Sequence, residues 1–121
     1  MENEEKKQIS VELRNIELQQ KAILDNIPDM AWLKDSEGRF IMVNERFARS
    51  CGFRSDKLIG KTDLDTWPRD LAEQYRNDDL EVIKSKKRKC VEERFVDSES
   101  KIQWIETIKT PVFDDQGKVI G

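Results

Sequence analysis

The sequence contains no histidine at all, and this absence excludes more than most of the residues present. Without histidine the chain lacks the usual proximal ligand of haem, the commonest metal ligand and any phospho-accepting imidazole. Only two cysteines occur, Cys51 and Cys90, and they lie too far apart in sequence to form a metal-binding motif. No apolar run approaches the roughly 20 residues that span a bilayer, and no secretory signal opens the chain. We therefore expect a reduced, cytoplasmic protein.

Neither sign of charge predominates in the chain. Its 121 residues include 22 basic and 25 acidic side chains, so the formal net charge is only -3. Such a balance favours neither nucleic acid nor a membrane as the main partner. Charged residues make up 39% of the chain and hydrophobic residues 36%, which predicts one domain with a compact core.

The first 27 residues contain neither glycine nor proline and predict one amphipathic helix. Apolar residues recur along it at alternating intervals of four and three, which is the heptad seam of a coiled coil. The seam comprises Ile9, Leu13, Ile16, Gln20, Ile23 and Ile27. Two interpretations remain open: the helix packs on its own domain, or it forms a parallel homodimer through Ile9, Leu13, Ile16 and Ile23. Residues 1–21 are assigned to this helix and residues 22–121 to the domain that follows.

Residues 30–52 form the segment around which the rest of the chain is organised. Two short apolar runs, residues 30–33 and 40–43, flank a turn that contains Gly38, which predicts a β-hairpin with Gly38 at positive φ. Asn44 follows the second strand as a helix N-cap, and the helix is expected to end at Gly52. Because Trp32 shares strand parity with Lys34, we expect Trp32 to face away from the domain interior.

The second half of the chain predicts further helices and three strands. Pro68 at a first helical position starts a helix over residues 68–85, and residues 54–60 predict a single helical turn that is capped by Ser55 and ends at Gly60. Residues 62–66 are expected to be irregular. β-Forming runs at residues 90–96, 101–109 and 119–120 complete a set of five strands. Antiparallel strands with helices inserted after the second indicate an α+β fold with one sheet face covered.

This order of elements carries short motifs that resemble the PAS domain family, in particular bacterial sensory-box domains. The series begins with Trp32-Leu-Lys-Asp35, Gly38-Arg39 and Asn44, and continues with Gly52-Phe53 and Leu58-Ile-Gly60-Lys61. It ends with the stretches 62–68, 72–76 with Asp78-Asp79, 104–115 and 117–121. The resemblance covers about residues 22–121. Each motif alone is unspecific, but the ordered series is typical of the family.

The resemblance implies a PAS fold, in which a five-stranded antiparallel sheet of order 2-1-5-4-3 is cupped by helices on one face. It also implies a sensory input domain of a histidine kinase, diguanylate cyclase or transcription regulator. Such a domain has no catalytic activity of its own and couples ligand or partner binding to dimer geometry through flanking helices. The alternative is a ligand-free module for dimerisation and protein interaction. An enzyme is the weakest interpretation, because no nucleophile–base pair or metal set is present.

The family pattern places ten residues around the cup, where a small ligand would bind. They are Leu33, Met42, Phe47, Leu58, Trp67, Tyr75, Ile83, Phe95, Ile105 and Thr107. The same side chains would also serve to fill a packed core. No basic residue is among them, so a strongly anionic ligand would be buried without a partner. The prediction is a small apolar or weakly acidic ligand, without a metal.

Haem and flavin are not expected as cofactors. Haem in related domains uses histidine, and flavin photochemistry requires an Asn-Cys-Arg motif that the sequence around Cys51 does not match. Arg76, Asp78 and Asp79 are expected to form ion pairs at the surface or a helix end, reaching Lys61 or Arg54.

The fifth strand is expected to continue beyond Gly121 in a longer protein. Only four residues follow the last turn, whereas strands commonly have five or six residues. A protein that includes the continuation should be more stable.

Overall fold

The chain, described by a computed structural model over residues 2–121, begins with a long helix and ends with two strands. Helix α1 (Glu2–Asp25) precedes a hairpin of β1 (Trp32–Lys34) and β2 (Phe40–Val43). The next elements are α2 (Glu45–Cys51), α3 (Ser55–Leu58), α4 (Asp63–Thr66) and the longer α5 (Arg69–Ser85). A second hairpin, β3 (Lys89–Val96) and β4 (Ile102–Lys109), follows. Apart from α4, which was not predicted, the predicted order of helices and strands is confirmed as far as β4.

Local sequence signals explain most of the element boundaries. Gly38 adopts a φ of 86° in the first hairpin, and a Cβ there would lie 2.9 Å from Arg76 Nη1, so the turn requires glycine. Asn44 caps α2, because its side chain accepts a hydrogen bond from Phe47 N at 2.9 Å. The helix ends at Gly52, which has a φ of 78°.

Two local predictions are wrong. Ser55 does not cap α3, since it lies inside the helix and its hydroxyl donates to Glu45 Oε1 at 3.2 Å. The segment 62–66 is not irregular but contains α4. Its start is a capping box, in which Thr62 and Asp65 each accept a hydrogen bond from the other's backbone N–H. Two reciprocal hydrogen bonds are enough to order this short turn.

The strands form two separate antiparallel pairs. The β1–β2 pair is short and irregular, whereas β3 and β4 pair over eight residues, from Lys89 opposite Lys109 to Val96 opposite Ile102. Within residues 2–121 the predicted five-stranded sheet is not formed. The expected fifth strand is limited to one bridge between Phe113 and Val119 and to hydrogen bonds between Val112 and residues 120–121.

An open groove of about 590 Å³ separates β1 from β4. The chain reaches its entrance at Gly121, whose main chain packs against β1. A Cβ at Gly121 would lie only 2.2 Å from the carbonyl oxygen of Lys34. The groove therefore separates the two strand pairs, and the backbone of residues 120–121 lies at its entrance.

The core lies between the strands and helices α2 to α5. Its centre is Phe47, whose ring lies 4.9 Å from Trp32, 5.7 Å from Phe40 and 6.5 Å from Trp67 between centroids. Aromatic pairs at these distances stabilise a core beyond their buried area. The fully buried or nearly buried apolar members are Phe40, Val43, Phe47, Ala48, Cys51, Leu58 and Phe95.

Helix α1 extends away from this core. Among its described residues none is buried, and the seam residues Leu13 and Ile23 are 56% and 66% exposed. The seam therefore does not pack on its own domain, which removes one of the two interpretations of the heptad pattern. Although α1 has 24 residues, neither it nor any other helix within residues 2–121 is apolar enough to cross a bilayer.

Candidate ligand-binding cup

A small cavity of about 30 Å³ lies in the centre of the cup. Five of the ten predicted residues line it: Phe47, Trp67, Tyr75, Phe95 and Ile105. The cavity is large enough for about one or two water molecules. Its walls are mostly aromatic and aliphatic, with charged groups at one end.

The other five predicted residues lie elsewhere. Leu58 is buried in the core beside the cavity, and Ile83 and Thr107 line the groove between β1 and β4. Leu33 and Met42 face each other across the first hairpin and do not line the cavity.

The orientation predicted for β1 is wrong. Trp32 faces the cup, because its ring stacks near Phe47. Lys34 faces the cup as well and lies over the Phe40 ring. Since side chains alternate along a strand, Leu33 between them points to the opposite face. The error came from reading Lys34 as a surface residue.

Lys34 is instead part of a buried cluster of charges. Its ammonium group lies 2.6 Å from Asp63 Oδ2 and 2.7 Å from Asp79 Oδ2. The Lys34 side chain is 11% exposed and that of Asp63 only 4%. Asp63 also accepts a hydrogen bond from the indole nitrogen of Trp67 at 2.9 Å. β1, α4 and α5 are thus joined by charge-assisted hydrogen bonds.

Lys109 extends the cluster to β3 and β4. Its ammonium group donates to Asp79 Oδ1 at 2.6 Å and lies 3.0 Å from Glu93 Oε2. The side chains of Lys109 and Glu93 are 8% and 3% exposed. Asp79 bridges the two lysines, so the predicted surface pairing of Asp79 with Lys61 or Arg54 is wrong. Arg76, predicted to join such pairs, instead donates to the carbonyl oxygen of Ser36 at 3.0 Å.

Burial and charge shift the pKa values in this cluster in opposite directions. Burial alone would raise the pKa of Asp79, but the neighbouring Lys34 and Lys109 outweigh it and hold the pKa below 3.8. Burial raises the pKa of Glu93 above 4.5, and the opposing effect of Lys109 is insufficient to reverse it. Burial would lower the pKa of Lys109, yet Asp79 and Glu93 raise it above 10.5. Asp79 and Lys109 therefore hold their charges more firmly than Glu93 does.

Glu93 Oε2 and Thr107 Oγ1 are buried polar atoms beside this cluster. Glu93 Oε2 lies 3.0 Å from the ammonium group of Lys109, so its charge is paired inside the cup.

The charged residues are the part of the site that the sequence interpretation missed. Because Lys34 and Lys109 line the cavity, the premise that the cup has no basic residue is wrong. One sequence signal was available, because residues two apart on a strand lie on the same face. Each of the three charged strand residues is two positions from a residue that faces the core: Lys34 from Trp32, Glu93 from Phe95, and Lys109 from Thr107.

A second feature joins the cup to α1. Asn44 is fully buried and uses all four hydrogen-bonding positions of its amide. Its oxygen accepts from Ala31 N and Phe47 N, and its nitrogen donates to the carbonyl oxygens of Leu24 and Asp29 at 3.0 and 2.8 Å. The same side chain thus caps α2, whose Phe47 lines the cavity, and holds the end of α1.

Charged groups reinforce this junction from the α1 side. Asp25 Oδ1 accepts from Glu45 N at 2.9 Å, at the first turn of α2. Lys21 donates to the carbonyl oxygen of Val43 at 2.7 Å. Polar contacts therefore attach the last turn of α1 to the end of β2 and the start of α2.

Comparisons with known proteins agree with this architecture. A family profile described as the PAS fold matches residues 24–121. An uncharacterized protein, y4lL of Sinorhizobium fredii, is 36% identical over 73 residues, which are 60% of this chain and 9% of that protein. VqmA of Vibrio cholerae, solved as a complex with a ligand and DNA, is similar with a TM-score of 0.74 and 25% identity.

The VqmA match covers 86% of this chain and 47% of the VqmA chain, so the chain spans less than half the length of these relatives. A sensory box sensor histidine kinase from Vibrio cholerae shares the fold, with a TM-score of 0.62 and 16% identity over 92% of this chain and 90% of that one. With most of its length matched by the family profile, the chain belongs to the PAS family.

Proposed function

We propose that this domain binds a small ligand in its cup and transmits the binding to the geometry of a dimer through α1. The observation that carries the proposal is the buried cluster of Lys34, Asp63, Asp79, Glu93 and Lys109 beside the cavity. Apolar residues of similar volume would stabilise a packed core at least as well as buried ion pairs do. Five charged side chains beside a cavity are therefore better explained by recognition than by packing. This argument favours the sensor over the ligand-free interaction module.

The route from the cup to α1 follows from the contacts of Phe47 and Asn44. Phe47 lines the cavity and lies three residues after Asn44 in α2. A shift of α2 on ligand binding would move Asn44, and with it the hydrogen bonds to Leu24 and Asp29. The end of α1 would then change its direction relative to the domain.

The exposed seam of α1 is proposed as the dimer contact. Vibrio cholerae VqmA forms a dimer whose conformation shifts in the absence of target DNA, and VqmA has also been solved bound to DPO. By analogy, the present domain would control an output region elsewhere in a longer protein. That output would be a histidine kinase, diguanylate cyclase or transcription regulator, and nucleic acid is not expected to contact the described domain itself.

The ligand is tested by comparing the native mass of freshly purified protein with its denatured mass. The proposal expects a native mass in excess of the polypeptide, which disappears on denaturation. Equal masses, together with no change in thermal midpoint when a metabolite extract is added, would favour the ligand-free module.

We also propose that the complete domain has the family's five-stranded sheet, with its fifth strand in the groove between β1 and β4. The supporting observations are the groove itself and the contact of Gly121 with the backbone of Lys34. A strand there would pair with backbone groups of both β1 and β4.

This proposal predicts that a protein extended by about ten native residues past Gly121 is more stable. The expected gain is about 2 kcal/mol, from ladder hydrogen bonds and apolar burial. Urea unfolding of the two proteins measures it, and the extended protein should also show a steeper slope. Equal midpoints and slopes would contradict the proposed fifth strand.

A further inference from the structure

The connection between α5 and β3 carries the highest local density of positive charge in the chain. This basic segment (residues 84–89) reads Lys-Ser-Lys-Lys-Arg-Lys and holds five of the 22 basic side chains of the protein. We propose that the basic segment docks an acidic peptide segment of a partner protein, and that Lys86 supplies one of the contacting ammonium groups. None of its residues lines the cavity of the cup or the groove between β1 and β4, so this is a second surface that goes beyond ligand binding.

Most of the charge in the basic segment is not neutralised within the described chain. Lys89 contacts Glu81, but the other four basic side chains form no ion pair among residues 2–121 and are all exposed. They are Lys84, Lys86, Lys87 and Arg88. Like charges this close in sequence repel one another, and an anionic partner would replace the repulsion with attraction.

The end of α5 accounts for only part of this charge. Cations stabilise the C-terminus of a helix, but the effect is confined to the last turn. Lys84 lies in that turn and Lys86 caps it, whereas Lys87 and Arg88 follow the cap and lie outside the helix. The basic segment therefore carries more positive charge than the helix end requires.

Lys86 occupies a backbone position that favours glycine. Its φ of 59° lies in the left-handed region, and its N–H donates to the carbonyl oxygen of Val82 at 2.9 Å, which closes the helix. A residue with a Cβ is strained in this conformation, whereas glycine is not. A lysine at this position is therefore explained by its ammonium group and not by the backbone.

The surroundings of the basic segment favour a narrow partner over a broad one. Glu81 and Glu92, three residues before and three residues after the segment, are exposed. A duplex nucleic acid or a membrane surface would face these carboxylates together with the lysines, whereas a short run of aspartate or glutamate residues would meet the lysines alone. The segment also has no aromatic side chain that could stack on a base. The charge pattern therefore fits an acidic peptide.

Fluorescently labelled octaglutamate is the acidic probe, and octaglutamine is its uncharged control. The unmodified protein is titrated into each at about 0.15 M salt, where exposed charges more than roughly 8 Å apart are screened. Replacing Lys87 and Arg88 together with glutamate should weaken octaglutamate binding at least about tenfold, because two attractive contacts become repulsive. The matched control replaces Lys6 and Lys7, which are exposed on α1, with glutamate. It changes the net charge equally and should alter binding less than about twofold.

Two glycine replacements separate the charge of Lys86 from its backbone conformation. Lys86→Gly should raise the thermal midpoint, because the left-handed strain is relieved, and should weaken octaglutamate binding at least about threefold. Ser100→Gly relieves the same conformation in the turn between β3 and β4, where φ is 62°. It should raise the midpoint without changing octaglutamate binding.

Several results would overturn the proposal. They are no binding of octaglutamate, equal binding of octaglutamate and octaglutamine, equal weakening by the two double replacements, and unchanged binding in Lys86→Gly. Tighter binding of duplex DNA or of phosphatidylserine vesicles than of octaglutamate would also overturn it, since the partner would then be a nucleic acid or a membrane. The native-mass comparison tests the cup separately and does not depend on any of these results.

Discussion

Replacing both Leu13 and Ile16 with aspartate is expected to convert a dimer into a monomer. The two side chains lie on the heptad seam of α1 and are 56% and 48% exposed in the isolated chain. In a paired helix each would be buried, which contributes roughly 1.5–3 kcal/mol per side chain. Four such side chains are lost per dimer, and four carboxylates replace them at the contact. We expect the dimer to be weakened by at least about 100-fold.

Light scattering at low micromolar concentration measures this change. The matched control replaces Val11 and Leu18 with aspartate on the same helix. These residues are 53% and 50% exposed but lie off the seam, on the opposite side of the helix, so the dimer should persist. A dimer that survives the Leu13 and Ile16 replacements but not the control pair would show that the seam is not the contact.

The second large effect is expected on stability, from Lys109→Met. The change leaves Glu93 without the cation it contacts among residues 2–121 and removes one of the two lysines that contact Asp79. Breaking a buried ion pair by removing one partner commonly costs 3–5 kcal/mol, and we expect about 3 kcal/mol because Lys34 still contacts Asp79. Urea unfolding at pH 7 measures the loss.

Two further proteins make this prediction specific. Lys101→Met removes a 72% exposed lysine paired with Glu99, and it should change stability by no more than about 0.5 kcal/mol. The double replacement Lys109→Met with Glu93→Met should recover part of the loss, because it removes the uncompensated carboxylate. A loss below about 1 kcal/mol for Lys109→Met alone would indicate that water reaches the cluster and that the charges are not buried.

The cost of Lys109→Met should depend on pH in a defined direction. The Lys109 pKa is raised in the folded protein, so its contribution is complete below pH 10.5 and is lost as the pH rises through the folded value. On the acid side, the pKa of Glu93 is raised above 4.5, so Glu93 takes up a proton there more readily in the folded protein. The cost should therefore be largest near neutral pH and smaller near pH 4.5. A constant cost between pH 4.5 and 7 would argue against an ionised Glu93 as the group left unpaired.

Local signals in the sequence were sufficient for most of the fold. Asn44 and Gly52 delimit α2, Gly38 sets the hairpin turn, and Pro68, predicted as the first residue of α5, is its N-cap. Each of these residues acts through backbone geometry or a hydrogen bond within a few positions. The local signals did not predict the helical turn at residues 62–66, which were expected to be irregular. There Thr62 and Asp65 form a reciprocal cap that orders a single turn.

The site was harder to predict, because its charged residues interact over long distances in sequence. Lys34 contacts Asp63 and Asp79, which are 29 and 45 residues away, and Lys109 contacts Asp79, 30 residues away. Charged residues in strands and helices are usually exposed, so single-residue tendencies favour the surface for each of them. These charges can be buried only because they pair with opposite charges in the folded chain, and this pairing depends on tertiary contacts.

The second role of Asn44 was hidden for the same reason. Its position after β2 predicts a helix cap, which the structure confirms. Its bonds to Leu24 and Asp29 depend on where α1 meets the domain, and no local pattern encodes that meeting point.

The distance between the two α1 helices of a dimer tests the central claim most directly. Spin labels on Asn15→Cys, an exposed position of α1, report this distance by pulsed electron resonance. Cys90 is exposed and would be replaced with serine. Cys51 is buried, and burial raises its pKa to about 12, so it should not react with the label. The cup is perturbed by Leu71→Phe, which fills the cavity, and Leu80→Phe on the exposed side of α5 is the control.

Leu71→Phe is predicted to shift the interhelix distance, whereas Leu80→Phe should leave it unchanged. Asn44→Asp keeps an oxygen that caps α2 but replaces the amide nitrogen that donates to Leu24 and Asp29. In the Asn44→Asp protein the shift caused by Leu71→Phe should therefore disappear. A distance that does not respond to Leu71→Phe, or a response that is equally large with Asn44→Asp, would contradict the account that the cup controls the dimer through the Asn44 junction.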